Sequence, residues 1–136
     1  MGHIICVTRG DTIYAIISQN SPADASGFFT PPEALLQAGV VDLPDGYFSK
    51  AHAHREMLRE IRQTCEVLFV AHGGIVVEIF DEAWQSLAQE TLGPGDCIAL
   101  MRGGHSVRTT KATRLVEVKQ GPYPGVGDAK IFRDPT

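Results

Sequence analysis

No Cys-x-x-Cys spacing occurs anywhere in this chain. Its three cysteines, Cys6, Cys65 and Cys97, form an odd and scattered set, which argues against both a disulfide framework and a cysteine-based zinc site. They read as reduced, buried thiols. Excess positive charge is missing too. Twelve Lys+Arg face 16 Asp+Glu, for a formal net charge of -4, so no basic surface announces nucleic acid or an anionic membrane as a partner. The opening Met-Gly-His-Ile-Ile-Cys has no basic segment leading into an apolar one, and no apolar run reaches the length of a membrane span. Cys6 stands where a myristoylation signal takes Ser or Thr. The cytoplasm is the expected location. Internal repeats and low-complexity tracts are absent as well.

What is present suits a single domain over residues 1–136. With 136 residues and 43% hydrophobic content, the chain can bury a core without staples. Its apolar residues come in short runs: Ile4 to Val7, Ile13 to Ile17, Val67 to Val70, Ile75 to Phe80, Ile98 to Met101 and Leu115 to Val118. Each is strand length, rich in β-branched or aromatic residues, and bounded by Gly, Pro, Asp or Asn. The pattern predicts an all-β fold, a barrel or sandwich of short strands. Gly73-Gly74 reads as a tight hairpin, and Leu92-Gly-Pro-Gly-Asp96 as a sharp turn before a buried strand. Residues 20–33 read as a loop or lid leading into a short helix at Pro32 to Leu36. Arg55 to Gln63 consists of good helix formers, and a helix starting as early as His52 would make the neighbouring histidines diverge.

Those histidines carry the chemistry. His52-Ala53-His54 places two imidazoles at i and i+2, which on an extended strand share one side and can share one metal ion or one substrate. Glu66 follows twelve residues on, and Gly103-Gly104-His105 comes late in the chain, its glycines allowing the turn that brings His105 inward. The bland reading is that the histidines are surface residues. His72, just before Gly73, reads as a solvated turn residue, and His3 has no evident partner. Glu117 and Lys119 alternate with Val116 and Val118 and so project from the face opposite the valines. In a lumen, Lys119 can hold a carboxylate or phosphate and Glu117 can handle protons; in water they are an ordinary solvated pair. Arg55, Arg59 and Arg62 form either an anion-binding rim or a charged hairpin in solvent. Val67 and Phe69 lie opposite Leu68 and Val70, so this strand is apolar on both faces, which predicts a homodimer.

At these residues the sequence resembles the cupin superfamily, whose first motif runs Gly, five residues, His-x-His, three or four residues, Glu, six residues, Gly. Gly46, His52, His54, Glu66 and Gly73 reproduce both ends of it, with eleven residues between His54 and Glu66 where the motif has fewer. Its second motif runs Gly, five residues, Pro-x-Gly, two residues, His, three residues, Asn. Here Gly95 leads to Gly103-Gly104-His105, one residue shorter, with no Pro and with Thr109 in place of Asn. The tail from Leu115 to Lys130 looks like that of small bacterial cupins without an assigned reaction. Most of the chain, roughly residues 36–133, is covered.

The resemblance implies a jelly-roll barrel holding one divalent transition metal on His52, His54, Glu66 and His105. Three imidazoles and a carboxylate suit Zn, Fe, Mn, Ni or Co alike. A metal-dependent isomerase or epimerase acting on a sugar or a hydroxy/keto acid is the expected function, with Glu117 and Lys119 as candidate catalytic residues. An iron-dependent dioxygenase is a variant of it. A non-catalytic cupin that binds or senses a small molecule is the competing class. Lys50-Ala-His-Ala-His54 also resembles the Arg-Gly-x-His-Ala-His segment of sugar-nucleotide ketoisomerases, in which a histidine pair transfers protons without metal.

Overall fold

The computed structural model describes residues 4–20 and 27–133. All six apolar runs form strands. They are β1 (Ile4–Arg9), β2 (Thr12–Ser18), β5 (Glu66–His72), β6 (Ile75–Phe80), β8 (Cys97–Leu100) and β10 (Arg114–Lys119). Four further strands, β3 (Gly27–Phe28), β4 (Gly39–Val40), β7 (Ser86–Leu92) and β9 (Gly104–Thr109), complete the set, and the one described helix is a single turn, α1 (Val126–Ala129). None of the described helices is long and apolar enough to cross a membrane.

The strands form a five-stranded sheet in the order β1-β2-β8-β5-β10, a three-stranded sheet in the order β7-β6-β9, and the short β3-β4 ladder, all antiparallel. Side chains alternate between the faces of each strand, and the inner faces of the two larger sheets pack together. Val7, Ala15, Ile17, Leu68, Val70, Ile98 and Leu100 come from the first, and Ile75, Val77, Ile79 and Leu92 from the second. β1 lies against β7 on one side of this sandwich. On the other side β9 and β10 are unpaired edges, joined to each other only through the turn at 110–113. The fold is all-β, as expected, with two facing sheets, neither of which closes into a barrel among the described residues. Residues 41–64 contribute no strand to bridge β9 and β10.

The turns follow the glycines and aspartates. Gly73 (φ 92°) turns β5 into β6, where an added Cβ would run into the Ala112 carbonyl and Thr113. Asp96 closes the Gly93–Asp96 turn: Oδ2 accepts from the Gly93 amide at 2.8 Å, and Oδ1 accepts from Asn20 at 2.6 Å. Buried Asp81 organises the loop from β6 to β7, accepting from the Ala83 and Gln85 amides at 2.9 Å while Arg9 pairs with its other oxygen.

Two expected helices are absent. Residues 32–36 make only a turn, with the Ala34 amide donating to the Pro31 carbonyl at 3.0 Å. Residues 55–63 are irregular. A helix that short gains little in water without a face to bury, and every residue from 41 to 64 is exposed. Part of the expected loop at 20–33, residues 21–26, lies outside the described residues; beside it, Gly27–Phe28 pairs with Gly39–Val40.

Candidate functional site

Two cross-strand rows on the inner face of the five-stranded sheet lead from core to site. One passes through Ala15, Leu100, Glu66 and Lys119, the other through Ile17, Ile98, Leu68 and Glu117. Both are apolar and buried in the middle of the sheet and become ionic toward the β10 edge. Leu68 and Val70 are fully buried, so the strand alternation that buries them necessarily turns Glu66 inward as well. The opposite sheet does the same with His105, which is the register partner of buried Ile79. Gly103 (φ 73°) sets up this approach: a Cβ there would strike the Phe80 carbonyl, and one on Gly104 would strike the Trp84 ring.

Across the gap between the sheets, His105 Nε2 lies 2.7 Å from Glu66 Oε1. Glu66 is nearly enclosed, its side chain 14% exposed, and His105 is open to solvent at 34%. The hydrogen bond from His105 holds the Glu66 carboxyl below its usual range; burial opposes this, and the charges of His105, Lys119 and Lys130 reinforce it. Lys119 faces the same side as Glu66 as its direct cross-strand partner, with Nζ 5.9 Å from the centre of the Tyr123 ring. Glu117 lies on that inner face too, beside Leu68. Both are exposed, so they line an open mouth instead of a sealed lumen.

Of the sequence-predicted ligands, the fold joins Glu66 and His105, which are 39 residues apart in the chain. His52 and His54 lie elsewhere, on the exposed segment 41–64. Their rings are neighbours with centroids 5.6 Å apart, and His52 Nδ1 is 2.8 Å from the Lys50 carbonyl oxygen. The two rings thus stand together on a segment that forms no strand. Among the described residues no three His, Cys, Asp or Glu side chains form a group able to hold a metal ion.

Lys130, just after α1, was not singled out as a site residue by the sequence; its charge acts on Glu66 from a segment whose position only the fold reveals. Cys65 is a buried thiol, as expected, and so is Cys97, whereas Cys6 is exposed. Cys65 Sγ lies 3.3 Å from the Met101 carbonyl, its amide donates to Gln120 Oε1 at 2.7 Å, and burial pushes its pKa up. These bonds fix the point where segment 41–64 enters β5. A second polar cluster lies near Gly103: Tyr14 Oη donates to Glu82 Oε2 at 2.6 Å and Arg102 Nε to Glu82 Oε1 at 2.5 Å. Together they lower the Glu82 pKa to about 2, and Tyr14 is raised in return. No family model, curated protein or solved structure matches this chain.

Proposed function

We propose that this chain is a metal-binding cupin with jelly-roll connectivity, acting on a small, oxygen-rich substrate such as a sugar or a hydroxy/keto acid in an isomerase or epimerase type of reaction. The observation that supports it is the Glu66–His105 pair: one residue from each cupin-like motif, on opposing sheets, at bonding distance in an open mouth.

A carboxylate oxygen and an imidazole nitrogen are donors that Zn, Fe, Mn, Ni and Co accept. Two protein donors are fewer than the three or more such an ion takes from a catalytic site, so the pair fits as half of a set whose other half is His52 and His54. A metal bound there supplies Lewis-acid polarisation of a carbonyl or hydroxyl oxygen. The chain's own residues do the rest. Lys119, directly beside Glu66, offers a cation for a substrate carboxylate or phosphate, and Glu117, one row away, offers a base.

Titration with Zn(II), or anaerobically with Fe(II), is expected to stabilise the wild-type protein by about 2.7 kcal/mol at a hundredfold excess over Kd. The effect should disappear in His105→Ala. Equal thermal shifts in the two proteins would contradict the assignment.

The competing reading is a non-catalytic binding module. The exposure of Glu117 and Lys119 favours it, since neither side chain is held in a desolvated position. A Lys119→Ala variant that loses anion binding, in a protein that converts no candidate sugar or oxyacid, would support that reading.

A further inference from the structure

Half of the proposed ligand set sits in the mouth between the sheets and half on a segment whose residues are all exposed. We propose that residues 41–64 form an exchanged arm, which lies along the β9–β10 mouth of a second copy of this chain and delivers His52 and His54 to that copy's Glu66 and His105. The inference rests on reading Glu66 and His105 as half of a metal site.

Three observations carry it. The first is the arm itself. It is exposed along its whole length, yet it carries Val41, Leu43, Tyr47, Phe48, Met57, Leu58 and Ile61, with Phe48 81% and Leu58 98% exposed. Both ends are anchored, at the β3–β4 ladder and at Cys65, so the middle can project as a loop. The second is the mouth. Among the described residues β9 and β10 each present an unpaired edge, and Val107, on the same face of β9 as His105, remains exposed. Exposed edges with apolar side chains recruit a further strand from another chain. The third is the match between the two. The His52 and His54 rings already stand together, and on an extended strand Lys50, His52 and His54 share one side. Ser49 to Arg55, added to an edge, turns that side toward Glu66 and His105.

A second copy is the occupant these features favour. The arm donates a strand and the mouth accepts one, so a two-fold exchange uses the arm and the mouth of both copies and closes on itself. Neither site is complete without its partner.

Full-length H52A/H54A and E66Q/H105A proteins carrying different tags would be co-expressed and the mixed dimer isolated, then reconstituted with Zn(II) or anaerobic Fe(II). Exchange predicts that each parent variant holds no ion and that the mixed dimer holds one per two chains, because one of its mouths receives an intact arm. A mixed dimer as empty as its parents, beside a loaded wild type, overturns the exchange and leaves the metal reading standing. A wild type that holds no ion removes the metal reading instead. Arm placement is then judged by size-exclusion chromatography with light scattering. Phe48→Ser/Leu58→Ser, at positions exposed within the subunit, should convert a wild-type dimer to folded monomers. A monomeric wild type, or a dimer indifferent to these changes, overturns the exchange.

Discussion

Glu66 gives up its charge below the ordinary carboxylate range because His105 donates to it across the sheets. Its folded pKa is therefore depressed relative to the reference value of 4.5. The stabilisation from this ionisation is complete above the unfolded value and is lost as the pH falls through the folded one. Wild-type protein should accordingly lose stability more steeply than Glu66→Gln below about pH 4.5, measured as urea midpoints across an acid series. Parallel acid limbs would show that the pair contributes nothing. Asp81 has a different task. Its carboxylate satisfies two loop amides and Arg9 from a buried position, so Asp81→Ala leaves those groups without acceptors. The expected cost is about 1–3 kcal/mol in chemical denaturation, with Asp81→Asn recovering part of it.

Among the strands, the fold was legible wherever the apolar runs were. β1, β2, β5, β6, β8 and β10 each follow a run of β-branched or aromatic residues, and the glycine turns at Gly73 and Gly95 fall where expected. β7 and β9 were not legible. Ser86-Leu-Ala-Gln-Glu-Thr-Leu92 lacks a clean alternation, and Gly104-His-Ser-Val-Arg-Thr109 has one aliphatic residue because its inner face opens on the mouth. Strands buried against water on one side and a site on the other lose the hydrophobic signal that announces a strand. Leu68, in the most legible strand, joins both sheets through the core. Leu68→Ala should cost about 2–5 kcal/mol, and a cost under 1 kcal/mol by denaturant titration would show that the two sheets do not pack as described.

Taken as a whole, the molecule separates what the sequence suggested would stand together. Motif spacing points to Glu66 and His105, and the fold places them in contact. Eleven residues separate Glu66 from His54. Those residues lengthen the segment that carries His52 and His54 away from the mouth. Spacing along a chain says which side chains an extended backbone can align, and does not say which edge the backbone will lie on. Apolar residues on both faces of β5 also led to the expected dimer: Phe69, Val116 and Val118 are exposed on the face opposite the core. Their exposure adds apolar surface beside the open β10 edge.

The most direct measurement is elemental analysis of metal-stripped protein reconstituted anaerobically with Zn, Fe, Mn, Ni and Co in competition, for wild type and for Glu66→Gln/His105→Ala. The proposed function predicts one tightly held ion per wild-type chain and none in the double variant, with both proteins folded. No retained ion in the wild type, or equal retention in both, would contradict the claim that the Glu66–His105 pair is the core of a metal site.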